Sequence, residues 1–278
     1  MHPANQHYGH GHALARYCGL PGGVPDRIRG YVQHGWNPGE GFGERIVRLG
    51  GFPSFVWSSR TRRRSIATGR RNVVVTGAPW LYLLAVSPPP AAERAGTIWY
   101  PFHGWEAQEV LGDHGRLVDH IRAVEPGPVT VCLYWHEYQN LRLRRRYERA
   151  GFRVICHGSR GGPDRPPDPG FLIRQLGELV AHRRVASNRL TTAVLYGASV
   201  GCEPAVYGDP MVIENDWSRY GDQARARREW PMLHGEQVDV RAAREPDRRS
   251  VTSRSRSPWD LRRRPAHSRR WRRRAPRS

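Results

Sequence analysis

The sequence predicts an α/β protein built on parallel sheets with helices on both faces, and three observations carry that expectation. Strand and helix patterns alternate through five strands after residue 96, the rhythm of a doubly wound sheet. Residues 71–77, centred on Val73, Val74 and Val75, are continuous and apolar enough to be a strand buried on both faces. Residues 184–208 read as a strand end at Val185 and Ala186, a polar turn, a helix of about ten residues, and a second strand at 204–207.

Taken in order, residues 1–26 are rich in Gly, His and Pro and read as a flexible N-terminal segment, with His2, His7, His10 and His12 mobile rather than metal-binding. A partial α/β domain follows over 27–90, with strands at 29–36, 52–58 and 71–77 and the start of a helix at 81–86. Ser87, Pro88, Pro89 and Pro90 make a stiff break that marks a domain boundary. The second domain spans 96–212. It opens with a strand at 96–101. A helix over 114–125 shows its period in Leu117, Val118, Ile121 and Val124 and stops before Pro126. Next come a strand at 129–135, an arginine-rich amphipathic helix at 138–150 closed by Gly151, and a strand at 152–156. A proline loop leads to a helix at 171–183 and then to 184–208. Residues 213–240 read as an irregular or helical closing segment. The tail, 241–278, holds 15 Arg against three acidic residues and no apolar period, so it is expected to be disordered.

Composition narrows the chemistry. All 45 basic residues are arginine, against 25 Asp and Glu, for a net charge of +20. The missing lysine excludes a Walker A loop, a pyridoxal Schiff base and a kinase-type nucleotide lysine. The tail supplies +12 of the charge, so nucleic acid or an acidic surface is a partner only through 241–278; sequence not selected to fold is the other reading of that tail. Cys18, Cys132, Cys156 and Cys202 show no metal spacing, and Cys132 and Cys156 read as buried small hydrophobes of a reducing cytoplasm. The first residues lack the pattern of a secretory signal, and the most apolar run, 73–86, is too short to span a bilayer. A cytoplasmic protein, or one peripheral at the inner membrane face, is expected.

Ligands of an open parallel sheet bind beyond the carboxyl ends of its strands. In this sequence those positions carry His34-Gly35, His103-Gly104, His136-Glu137, His157-Gly158-Ser159 and Ser187-Asn188. Histidine there can act as a base near neutral pH or, protonated, pair with phosphate. Ser187 and Asn188 are good helix N-cap types, and a helix N-terminus offers free N–H groups to an anion. Arg60, Arg62, Arg63 and Arg64 read either as phosphate-gripping forks or as a solvated charge run. Asp164 and Asp168 lie four apart in the proline loop and make no metal pair, so no metal and no cofactor is expected.

The two-part layout, the Ser/Thr turn and helix, and the closing Gly201-x-x-Pro204-x-Val206 strand resemble the GT-B glycosyltransferase superfamily. The resemblance is nearest to bacterial capsular polysaccharide, CDP-glycerol glycerophosphotransferase-like and polysialyltransferase-like proteins, and it covers roughly residues 28–210. It implies two Rossmann-like domains, the first incomplete here, and a metal-independent transfer from a nucleotide-activated donor to a polymer or lipid-linked acceptor. It assigns the acceptor base to His34 and the donor phosphates to His103, Ser187, Thr191 and Thr192; the strand-end positions add Asn188 to the phosphate set and His136, Glu137, His157 and Ser159 as further candidates. A nucleotide-sugar epimerase and a truncated, non-catalytic relative with a polymer-binding tail are the alternatives.

Overall fold

The computed structural model describes residues 3–23, 25, 27–38, 51–88, 93–104, 108–162, 165–214 and 223–236. The tail at 241–278, Asp164, and Pro89 and Pro90 of the break lie outside the described residues.

The larger sheet has five parallel strands, β4 (Thr97–Tyr100), β6 (Val129–Cys132), β7 (Arg153–Ile155), β8 (Arg184–Ser187) and β9 (Glu203–Val206), in the order β7-β6-β4-β8-β9. In sequence order this is 3-2-1-4-5, so the winding reverses between β4 and β8, the place where doubly wound sheets open a crevice. Alternation along each strand feeds two cores. Ile98 and Val185 face one that contains Trp80, Leu176, Leu179 and Tyr196. Trp99 and Ala186 face the other, with Leu117, Ile121, Val131 and Tyr147. The helices between strands are α4 (His114–Val124), α5 (Trp135–Gln139), α6 (Leu141–Arg149), α7 (Phe171–Ala181) and α8 (Thr192–Ser199). Each long one follows from an apolar period, and α4 is capped by Asp113, whose carboxylate accepts from Gly115 N and Arg116 N. α8 lies so close on β8 that a Cβ at Gly197 would sit 2.5 Å from Val185 Cγ1.

The smaller sheet is also parallel, in the order β1 (Tyr31–Val32), β2 (Ser54–Val56), β3 (Val73–Val75). α2 (Ser59–Ala67) leaves β2 through an N-cap at Ser58, and α3 (Pro79–Val86) follows β3. Both sheets are thus of the expected parallel α/β type, but β3 is not buried on both faces as its apolar run suggests: Val73 is buried and Val74 exposed. A short antiparallel ribbon, β5 (Val110–Leu111) with β10 (Val212–Ile213), was not expected. The closing segment contains α9 (Gln223–Glu229).

Two regions differ from the sequence reading. The N-terminal segment, expected as flexible, forms α1 (His10–Tyr17), preceded by a 3₁₀ stretch at Pro3–Gly9. Small Ala13 lets α1 pack against Trp80 and Leu83 of α3, and buried Asn5 pairs with the edge of β1, accepting from Val32 N at 2.9 Å and donating to Gly30 O at 2.8 Å. The arginine run lies on α2 and is drawn to α9: Arg60 and Arg64 both pair with Glu229, and the Arg60 guanidinium sits 4.2 Å from the Trp230 ring. Among the described residues no helix is long and apolar enough to cross a membrane.

Candidate functional site

A cavity of about 450 Å³ opens at the β4/β8 reversal. Its walls come from both sheets: the turn after β1, the ends of β4, β6 and β7, and the start of α8, with Tyr8 and His10 of the N-terminal segment closing one side. His34, His103, His157, Thr191 and Thr192 all line it.

On the small-sheet side, Gln33 shapes the turn that presents His34. Buried beneath it, Gln33 accepts from Trp57 N through Oε1 at 3.0 Å and donates through Nε2 to Gly35 O at 2.8 Å, while its own carbonyl accepts from Trp57 Nε1 at 2.8 Å. Its neighbour Trp36 reaches across the cavity, where its backbone N–H donates to Thr192 Oγ1 at 2.8 Å. One hydrogen bond therefore joins the two sheets at the rim of the site.

On the large-sheet side, α8 starts at Thr192 with Thr191 as its extended N-cap residue, four residues later than the sequence suggests. Ser187 completes β8, paired with Tyr100, and is fully buried with its hydroxyl accepting from Arg189 N. Asn188 accepts from Phe102 N at 2.7 Å and donates to Asp209 O at 2.7 Å. Both residues brace the loops around the cavity and neither lines it, which corrects the expectation that they meet phosphate. Thr191 makes no capping hydrogen bond, and its Oγ1 is buried without a hydrogen-bond partner. The first-turn N–H groups of α8 therefore lack the side-chain acceptor that usually serves them.

The histidines differ in kind. His157 is hydrogen-bonded to the Tyr100 hydroxyl at 2.9 Å, and burial, helped by the charges of Arg174 and Arg153, pushes its pKa from 6.5 to about 3. His10 is likewise driven to about 3 by burial and by His7. Both are neutral imidazoles at physiological pH. His103 stacks on Tyr134, ring centroids 4.3 Å apart and 15° between planes. Its Nδ1 donates to Gly104 O at 2.7 Å, and Gly104 N donates to Glu137 Oε1 at 3.0 Å. Arg189 lies over the Phe102 ring at 3.7 Å and donates to the carbonyls of Pro210 and Met211.

His136 and Glu137 do not line this cavity. They face a second, more polar one of about 840 Å³, shared with Asp113, His114, Arg142 and Arg146. Ser159 lines neither, and its hydroxyl accepts from Gly161 N at 3.1 Å. Gln33, Trp36, Tyr8 and Tyr100 were not singled out from the sequence, and His10, read there as mobile, is buried against the cavity. Only Tyr100 and Gln33 carried a signal, a polar atom at a strand end directly before a histidine-bearing turn. No family model matches the chain, and no curated protein aligns with it significantly.

Proposed function

We propose that the chain is a GT-B-like, metal-independent glycosyl- or glycerophospho-transferase that takes a nucleotide-activated donor in the β4/β8 cavity. The observation that carries this reading is the sharing of one cavity by His34 of the small sheet and the uncapped start of α8 on the large sheet. A donor phosphate would sit against the α8 N-terminus, where free N–H groups and the helix dipole favour an anion. Aromatic rings at Trp36, Phe102 and Tyr134 suit a flat base or a sugar face. His34 would take the proton of the acceptor hydroxyl as its oxygen attacks the donor carbon or phosphorus, and the nucleotide would leave with the bonding pair on its phosphate oxygen. The return of α9 to α2 through Glu229, Arg60 and Arg64 supports the GT-B-like arrangement, because it ties the closing segment to the first sheet.

Calorimetry with CMP-, CDP- and UDP-linked donors tests the donor site; binding of at least one class is expected, and no binding by any of them overturns the proposal. With the competent donor, His34→Ala should lower turnover by roughly 10²–10⁴-fold at unchanged donor affinity, and chelation of divalent ions should leave turnover intact. A new sugar nucleotide formed without any acceptor would identify an epimerase instead.

A further inference from the structure

We infer that Glu137 is a positioning residue for His103, fixing through the backbone of Gly104 which imidazole nitrogen is offered to the cavity. A carbonyl oxygen has no hydrogen to give, so in the contact between His103 Nδ1 and Gly104 O the hydrogen resides on Nδ1. In the neutral ring, Nε2 then bears the lone pair, and of the two nitrogens it is the one left for a ligand. The residue whose carbonyl selects this tautomer is itself held in place. Gly104 N donates to Glu137 Oε1 at 3.0 Å, and on the other side a Cβ at Gly104 would stand 2.2 Å from Gln108 O. Gly104, which links the amide bound by Glu137 to the carbonyl bound by His103, is thus threaded between a carboxylate and a backbone carbonyl with no room for a side chain. The stack on Tyr134 holds the ring plane.

Glu137 reaches this position because α5 begins directly after the loop that ends β6, which puts its first turn beside the loop leaving β4. Its other oxygen, Oε2, is buried with no hydrogen-bond partner, so Gly104 receives the one hydrogen bond described for this carboxylate. On the transferase reading, which this inference extends, His103 takes a proton from solvent at Nε2, leaving hydroxide to the bulk buffer, and presents that N–H to the leaving phosphate while Nδ1 stays bound to Gly104; the acceptor proton goes separately to His34. The opposite tautomer has its lone pair at Nδ1 and takes up no proton from the cavity side.

Long-range ¹H–¹⁵N correlation spectra of the full chain, with ¹⁵N-labelled histidine and alkaline conditions, test this directly; His103→Asn assigns the signals. The wild type and Glu137→Gln are expected to show one tautomer with Nδ1 protonated, since the Gln amide oxygen still accepts from Gly104 N. Glu137→Ala is expected to lose that signature and show both tautomers, with donor affinity weakened about 5- to 10-fold, the worth of one hydrogen bond. A wild-type spectrum with Nε2 protonated, or a Glu137→Ala spectrum unchanged from wild type, overturns the inference. Glu137→Gln keeps the test decisive should the alanine variant unfold: a tautomer mixture in it also counts against Glu137 acting through its acceptor oxygen. Should no nucleotide donor bind the wild type, the donor reading fails, while the tautomer spectra still decide the role of Glu137.

Discussion

The five-stranded sheet buries apolar side chains on both of its faces, in two clusters that include Trp99, Leu117, Ile121, Leu179 and Val185. The three-stranded sheet has, among the described residues, a separate cluster of only Tyr31, Val56 and Val73. It is joined to the rest of the chain by the stacking of Trp57 and Trp80 on Tyr196 and by directed polar contacts: Asn5 on β1, Trp36 on Thr192, and Glu229 on Arg60 and Arg64, while Gln33 on Trp57 braces the sheet internally. Burial is non-directional and sets how stable a half is, whereas a hydrogen bond fixes a distance and an angle. The two faces of the large sheet therefore gather most of the apolar core, one of them together with Trp57, Trp80 and Leu83, and the polar contacts of the small sheet shape the cavity between them. Substitutions in the first should act on stability and those in the second on the site.

The largest effect is expected at Glu125, inside the large half. Its carboxylate accepts from Arg184 Nε at 3.1 Å, Tyr207 OH at 2.5 Å and Thr97 Oγ1 at 2.5 Å, with 1% of its side chain exposed. Burial together with the Glu125 carboxylate pushes the Tyr207 phenol well above its ordinary range, so it stays a donor. Glu125→Ala leaves the Arg184 guanidinium buried without its counter-charge, a loss of about 3–5 kcal/mol. Urea melts should show this as a lower midpoint at little-changed slope; a shift under about 1 kcal/mol would mean that apolar packing alone carries this half.

Acid should separate the two kinds of contact next. His10 and His157 have pKa values near 3 in the fold against 6.5 in the unfolded chain. The unfolded chain binds protons that the fold refuses, so their contribution to stability is complete above pH 6.5 and falls away as pH drops toward 3. Each adds a slope of at most about 1.4 kcal/mol per pH unit within that window. His157→Phe should lessen the loss measured between neutral pH and about pH 4 by the share of one histidine. An unchanged slope would show that protons reach His157 in the folded state.

Much of the large sheet was legible because its strands are apolar runs and its helices keep a 3.6-residue period, as in Leu172, Leu176, Leu179 and Val180 of α7. The same local logic fails at the start of α8. Ser187 and Asn188 have N-cap chemistry, yet the register with Tyr100 keeps Ser187 in β8, and the loops after β4 and β9 claim the Asn188 amide. Arg60 and Arg64 read as a charge run because Glu229 lies 165 residues from Arg64, a pairing no local pattern announces. The N-terminal helix was hidden by composition. It packs through Gly11, Ala13 and Ala15, so its apolar stripe is too small to stand out.

Gln33 tests whether the small sheet acts on the site. Gln33→Leu keeps the volume but strips Trp57 N of its acceptor and the His34 turn of its bond to Gly35. A buried donor left unmade costs about 1–3 kcal/mol. If turnover falls further than this loss of stability accounts for, the bond orients His34; if melting temperature falls and turnover at low temperature does not, Gln33 serves packing alone.

Thr192→Val is the smallest change and the sharpest. It preserves shape and removes only the oxygen that accepts from Trp36 N at 2.8 Å, so stability should fall by about 1 kcal/mol. The consequence for the cavity is out of proportion to that figure, because this bond links the His34 turn directly to the first turn of α8. Trp36 also meets Trp230 edge-to-face at 4.9 Å, so its indole emission reports on the seam between the halves. A shifted emission with weakened donor binding in Thr192→Val would show that one hydrogen bond sets the width of the cavity. Unchanged emission would place that control in the Glu229 contacts to Arg60 and Arg64, and Glu229→Gln would then be the variant that loosens the site.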